Sequence, residues 1–295
     1  MPETDDALPQ ADEQPGAQNP AWGAREPLVS GATDVGVVRR INQDAFGRFD
    51  DPERGEILLV VADGLGGHRG GETASRMAVQ ILGERFQNGG EDPAERLTDA
   101  IREANDRIYL AAQKDHTLDG MGTTVVCLLM ANEGKSYVAH VGDSRLYRLR
   151  SQQMTSITED HSLVATLVRE GVLTEDAAWS DPRRNQILRA LGVREDVEVD
   201  VAPVELLAGD LYLLCSDGLN GMVRDNEIAR LATQSPVLEN AIQDLINAAN
   251  AAGGTDNISC MLARIPDPNR FKTIRGQVET LVGGALDRLR SKSPE

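Results

Sequence analysis

Four aspartates stand where this chain should turn, each beside a glycine, an asparagine or another turn former. They are Asp44 in Arg39-Arg-Ile-Asn-Gln-Asp44, Asp63 in Leu-Leu-Val-Val-Ala-Asp63-Gly64, Asp217 in Tyr-Leu-Leu-Cys-Ser-Asp217-Gly218, and Asp256 in Gly-Gly-Thr-Asp256-Asn257. Asp63 and Asp217 end apolar runs that read as buried strands. A carboxylate at a strand end is fixed by a rigid sheet yet open to water. Several converging there would make an oxygen-only site for a hard divalent cation. Two such cations can share a bridging carboxylate and acidify a water, which suits hydrolysis of a phosphate ester. Any one aspartate at a turn is ordinarily a capping residue. Four at strand ends, with an arginine nearby, are harder to explain that way.

The elements that must carry these residues follow from periodicity. Residues 57–62 are wholly apolar and β-branched, as in a strand covered on both faces. Helices are expected at 71–87 and 94–113, each with an apolar stripe. Strands follow at 123–131, 135–141 and 145–149, with a hairpin signal at Asn132-Glu-Gly134. Gaps this short cannot hold crossover helices, so these strands pair antiparallel. A charged, irregular stretch at 158–196 holds short helical pieces. Strands return at 197–204 and 211–216, helices at 225–234 and 237–252, and a last strand at 257–264. The order strand, two helices, strands occurs twice. It predicts an α+β fold, a four-layer αββα sandwich of two antiparallel sheets flanked by helix pairs.

Composition narrows the class. The chain has 295 residues, 40% hydrophobic and only 3% aromatic. It can bury a large core but offers few stacking platforms for bases. A net charge of −17 argues against nucleic acid or anionic membrane as a partner. The three cysteines, Cys127, Cys215 and Cys260, lie inside apolar runs and read as buried free thiols of a cytoplasmic protein. Residues 1–26 read as a disordered acidic leader, 27–266 as one compact domain, and 267–295 as a tail with an amphipathic helix. That helix either packs on its own domain or docks to a partner or membrane surface. No signal peptide and no transmembrane segment are expected.

Other constellations compete for attention. Asp63-Gly-Leu-Gly-Gly-His-Arg-Gly-Gly71 follows a strand and opens a helix, as a dinucleotide fingerprint would. Its spacing is only approximate, and the antiparallel second half opposes a Rossmann sheet. A nucleotide-dependent oxidoreductase would rest on those glycines alone. Gly142-Asp-Ser-Arg145 reads as a tight turn with an internal Asp–Arg pair, and Ser144 has no evident base to make it a nucleophile. His140 and His161 read as structural.

Taken in order, seven segments resemble the PPM (PP2C-type) metal-dependent serine/threonine protein phosphatases, bacterial members above all. They are Thr33-Asp-Val-Gly-Val-Val-Arg39-Arg-Ile-Asn-Gln-Asp44, Val61-Ala-Asp63-Gly-Leu-Gly-Gly67, Asp119-Gly-Met-Gly-Thr-Thr124, Ala139-His-Val-Gly-Asp-Ser-Arg145, Arg183-Arg-Asn-Gln-Ile-Leu-Arg-Ala-Leu-Gly192, Cys215-Ser-Asp217-Gly-Leu219 and Gly254-Thr-Asp256-Asn257. The resemblance covers roughly residues 28–264. It implies that Asp63 bridges two Mn²⁺ or Mg²⁺ ions and that Asp217 and Asp256 complete the first. The Gly64 carbonyl would bind the second, with Asp44 holding its waters. Asp119, with Asp217, would bind the third ion of bacterial members. Arg39 would clamp the substrate phosphate, and 158–196 would be the mobile flap. The implied reaction is attack of metal-bound hydroxide on phosphoserine or phosphothreonine in protein substrates of a serine/threonine kinase.

The chain departs from the pattern at two positions. Gln43 replaces a common glutamate, and Leu65 stands where eukaryotic members have a histidine acid. His68 is a candidate for that acid, with a plain loop histidine as its alternative. The two departures also motivate a non-catalytic phosphoprotein-binding module on the same scaffold. The full set of aspartates opposes it.

Overall fold

The structure, a computed structural model, describes residues 25–66, 70–151 and 153–267. His68, most of the leader and the tail helix lie outside them. Two sheets stack face to face. One holds β1 (Leu28–Asp34), β11 (Ile258–Arg264), β10 (Leu211–Cys215), β7 (Arg145–Arg150) and β8 (Gln153–Ser156), in that order. The other runs β2 (Asp44–Asp51), β3 (Glu56–Leu65), β5 (Val125–Ala131), β6 (Ser136–Val141), β9 (Asp200–Val204), with the two-residue β4 (Gly122–Thr123) on the end of β3. Every pairing is antiparallel.

Three apolar layers hold the sandwich together, and β3 shows how one strand serves two of them. Leu58 and Val60 face α1 (Gly70–Asn88) and α2 (Pro93–Lys114), meeting Ala78, Leu82, Ile101 and Ile108. Leu59 and Val61 point the other way, into the space between the sheets, where they meet Leu146, Tyr212, Leu214 and Met261. A strand covered on both faces needs apolar residues at every position, hence the unbroken run at 57–62. On the far side, α6 (Asp225–Gln234) and α7 (Leu238–Ala251) lay Ile228, Leu231, Ile242 and Leu245 on Tyr147, Leu213, Cys215 and Leu262. Each such aliphatic side chain contributes about 1.5–3 kcal/mol by leaving water. The expected αββα layers are therefore present.

Several local expectations change. β3 does not end at Asp63 but runs on to Leu65, because Gly64 and Leu65 pair with Thr123 and Gly122. The expected strand at 123–131 breaks at Thr124 into β4 and β5. Strands β1, β2 and β8 have no counterpart in the sequence reading. The irregular stretch contains α3 (Leu163–Arg169), capped by the Ser162 side chain, and α4 (Glu175–Ser180), capped by Thr174. The three cysteines are buried free thiols. Among the described residues no helix is long and apolar enough to cross a membrane.

One ion pair lies inside the helix-covered layer. Arg96 of α2 donates to the Glu56 carboxylate at the start of β3, and both side chains are under one-tenth exposed. Removing one partner strands a buried charge, which costs about 3–5 kcal/mol. Arg96→Met is therefore expected to lower unfolding stability by that amount in a urea titration. Arg96→Met with Glu56→Leu is expected to recover most of it.

Candidate metal centre

Four element junctions place the aspartates at one end of the sandwich. Asp44 opens β2 and lies directly opposite Asp63 in the β2–β3 register. Asp217 opens α5 (Asp217–Asn220), the single helical turn that follows β10. Asp256 precedes β11. Close approach of these segments is possible only without side chains at two points. A Cβ on Gly64 would lie 2.1 Å from the Gly71 carbonyl oxygen, and one on Gly218 would lie 1.9 Å from that of Asn257. Gly64 thus lets the end of β3 abut the start of α1, and Gly218 lets α5 abut Asp256-Asn257.

Hydroxyls and one amide fix the Asp44 carboxylate and the backbone that carries the other groups. Ser216 Oγ donates to Asp44 Oδ2 at 2.7 Å and accepts from the Ser259 amide at 3.0 Å. Thr123 Oγ1 donates to the Asp63 carbonyl at 2.8 Å, while the Asp63 amide donates to Thr124 Oγ1 at 3.0 Å. The buried Asn257 holds the whole 35–43 loop. Its Nδ2 donates to the carbonyls of Val35 and Ile41, both at 3.0 Å, and its Oδ1 accepts from the Gln43 amide at 2.8 Å. That loop carries Arg39, whose guanidinium meets Asp256 Oδ2 at 2.8 Å. Gln43, in place of a carboxylate, donates through Nε2 to the Gly66 carbonyl at 3.2 Å.

A fifth carboxylate joins them. Asp143, in the turn between β6 and β7, is 5% exposed, and its charge opposes that of Asp217. The internal Asp143–Arg145 pair expected from the sequence is not formed. Arg145 instead makes a two-point contact with Asp160, 2.7 Å at each oxygen. That releases Asp143 toward the cluster. Asp119 is more exposed than the other carboxylates. It caps the 3₁₀ turn at His116–Leu118, is two-thirds exposed, and faces His116 at 3.6 Å.

Burial and mutual repulsion raise four of the carboxyls, those of Asp44, Asp63, Asp143 and Asp217. Asp63 and Asp143 are pushed well above the ordinary carboxylate range, first by loss of solvent and then by the neighbouring aspartates. Asp217 is raised by burial and by Asp256, and relieved by a hydrogen bond with Asp63 and by the charges of Arg184 and Arg39. Burial pushes Asp44 up to about 7, against its bonds to Ser216 and Ser259. One buried oxygen on each of Asp44, Asp143 and Asp217 has no hydrogen-bond partner among the described residues. Buried polar atoms are ordinarily satisfied. Clustered, orphaned, acceptor-only oxygens fit hard divalent cations, whose ligands are such oxygens.

The cluster opens into a cleft of about 990 Å³, bounded by the irregular stretch on one side and α5 on the other. Trp179 of α4 forms part of its wall. Its Nε1 donates to the Asn220 carbonyl at 3.3 Å, and Arg224 lies 3.9 Å from the ring centroid. A second group, His140, His161 and Asp200, has three potential ligand atoms close together. However, the Gly142 amide donates to His161 Nδ1, so neutral His161 carries its proton on Nε2 and turns it to Asp200 at 3.3 Å. The two rings stack at 4.7 Å.

A four-layer sandwich with an acidic, oxygen-only centre at the sheet ends defines a metal-dependent hydrolase. The family model for protein phosphatase 2C matches residues 38–263, and the chain belongs to that family. It is thus a serine/threonine protein phosphatase. A serine/threonine phosphatase of Listeria innocua, Stp, is 41% identical over 235 residues, which are 78% of this chain and 92% of the relative. The crystal structure of Mycobacterium tuberculosis PstP is 36% identical, with a TM-score of 0.74 over 82% of this chain and all of that one. A structure of the PstP catalytic domain in complex with two manganese ions is 35% identical, with a TM-score of 0.72 over 82% of this chain and 99% of that one.

The raised carboxyls set a pH dependence. Without cations, a group whose folded pKa exceeds its unfolded value stabilises the fold below the unfolded value. It loses that contribution as pH rises through the folded one. EDTA-treated protein is therefore expected to melt higher at pH 5 than at pH 7.5. Added Mn²⁺ should reverse that order, because cations replace the lost protons. Differential scanning fluorimetry across both pH values checks the sign.

Proposed function

We propose that Asp63, Asp217 and Asp256 hold the first of two Mn²⁺ or Mg²⁺ ions, with Asp63 shared by both. Asp44 and the Gly64 carbonyl serve the second. The observation that carries the reading is the set of orphaned carboxylate oxygens buried together beside Arg39. The bound cations would supply an acidified water as nucleophile and neutralise charge on the transferring phosphoryl group. Asp217, already opposed by Asp143, is the natural share of a third ion. Asp119 would complete that ion's shell, its exposed carboxylate exchanging the His116 contact for the ion.

The chain's own residues do the rest. Arg39, half exposed and paired with Asp256 of the cleft wall, receives the phosphoryl oxygens through its planar fork. Asp256 holds that guanidinium in place beforehand. Asp44 keeps a fixed orientation through Ser216, so it can hold water as an acceptor. Leu65 cannot act as an acid. His116 faces Asp119, while His140 and His161 stack together, so none of these three is bonded to Asp63. The proton for the departing serine or threonine oxygen then comes from solvent in the open cleft or from His68, which lies outside the described residues.

The substrates on this reading are phosphoproteins made by a serine/threonine kinase. The catalytic domain would span 27–266 and work in the cytoplasm, a location supported by the three free thiols. Purified protein is expected to hydrolyse a phosphothreonine peptide only with Mn²⁺ or Mg²⁺, and EDTA should abolish turnover. Asp63→Asn should lower kcat about a thousandfold or more, the equivalent of several kcal/mol of charge stabilisation. A variant that retained activity would sink the assignment of Asp63.

A further inference from the structure

The loop that carries Arg39 is unlike an ordinary surface loop. Val37 and Val38 are 65% and 62% exposed, and Val35 and Ile41 also reach solvent. Loops are usually built from polar and turn-forming residues. Single exposed aliphatics are common, but a contiguous group marks a contact surface. Arg40 adds a second exposed guanidinium with no ion-pair partner among the described residues. In a chain of net charge −17, this short segment is apolar and basic.

The loop is also anchored along its length. The amides of Val37 and Val38 both donate to the Gly254 carbonyl, at 2.9 and 3.3 Å. Asn257 pins the carbonyls of Val35 and Ile41. These anchors are the segment that supplies Asp256. An apolar surface anchored in this way loses little entropy when covered. Its position is tied directly to the candidate phosphate clamp.

We propose that Val37 and Val38 form a substrate-selecting surface that receives an aliphatic side chain next to the phosphorylated threonine or serine. The occupant follows from continuity with Arg39, which lies one residue beyond Val38. An extended peptide rises about 3.3 Å per residue, and successive Cα atoms of the loop are about 3.8 Å apart. Val37 Cγ2 lies against Gly254, two residues before the Asp256 that holds Arg39, so a peptide with its phosphate on Arg39 has its flanking residues within reach of the valine patch. This rests on the phosphatase reading and adds to it a class of substrate: phosphosites with aliphatic neighbours.

The test compares two phosphothreonine peptides of equal length, one with leucines and one with serines flanking the phosphothreonine, and p-nitrophenyl phosphate as a substrate without flanks. With Mn²⁺, wild-type protein is expected to favour the leucine peptide about tenfold in kcat/KM, as for one aliphatic group received in an apolar site. Val37→Ser with Val38→Ser should erase that preference through KM, leaving p-nitrophenyl phosphate turnover unchanged. Equal turnover of both peptides by the wild type, or a preference that survives in the double variant, overturns the surface alone. Absent p-nitrophenyl phosphate turnover by the wild type overturns the phosphatase reading and this one with it. A wild-type dimer that the double variant converts to monomer would assign the patch to self-association and overturn the proposal.

Discussion

Five carboxylates share one end of this sandwich, and the rest of the structure answers the repulsion between them. Asp44 and Asp143 are buried and Asp63 and Asp217 partly so, and each is pushed toward its protonated form. Here three apolar layers, filled on both faces of β3 and of β10, offset the local cost. The arrangement is poised for positive charge, and Arg39 and Arg184 supply only part of it.

The position of each carboxylate is inherited from backbone that cannot easily move. Asp44 and Asp63 are fixed by strand register, and Asp217 by the turn that follows β10. Asp256 and Arg39 are coupled through Asn257, which binds the loop of one to the strand of the other. The irregular 158–196 stretch returns to the same centre from the far side. Arg145 grips Asp160 at its start, and Trp179 rests on the Asn220 carbonyl farther along. Fold, loop anchoring and cleft wall therefore converge on one cluster.

What the sequence made legible follows physical lines. β3 and β10 are covered on both faces, so residues 57–62 and 211–215 form unbroken runs without charge, and the first aspartate after each run is conspicuous. Asp63 and Asp217 stood out for that reason. β1, β2 and β8 are all sheet edges, paired on one side only. Their residues are mixed, as in Asp44-Ala-Phe-Gly-Arg-Phe-Asp-Asp51, and leave no clear period. Asp143 was hidden by its neighbour. Two residues from Arg145, it reads as a local ion pair, whereas Arg145 reaches fifteen residues along to Asp160. Spacing cannot reveal that choice. Ser216 and Ser259, which hold Asp44, were equally silent, because a buried serine in a strand end looks like any small residue. Asp119 was named only through family resemblance, and it is the most exposed aspartate of the set.

The central claim is that these carboxylates are a cation site and not a structural network of shared protons. Crystals grown with Mn²⁺ and measured at the manganese absorption edge test it most directly. The account predicts anomalous peaks between Asp63, Asp217 and Asp256 and beside Asp44. A cleft with ordered carboxylates and no anomalous peak, or peaks confined to the surface, would contradict it.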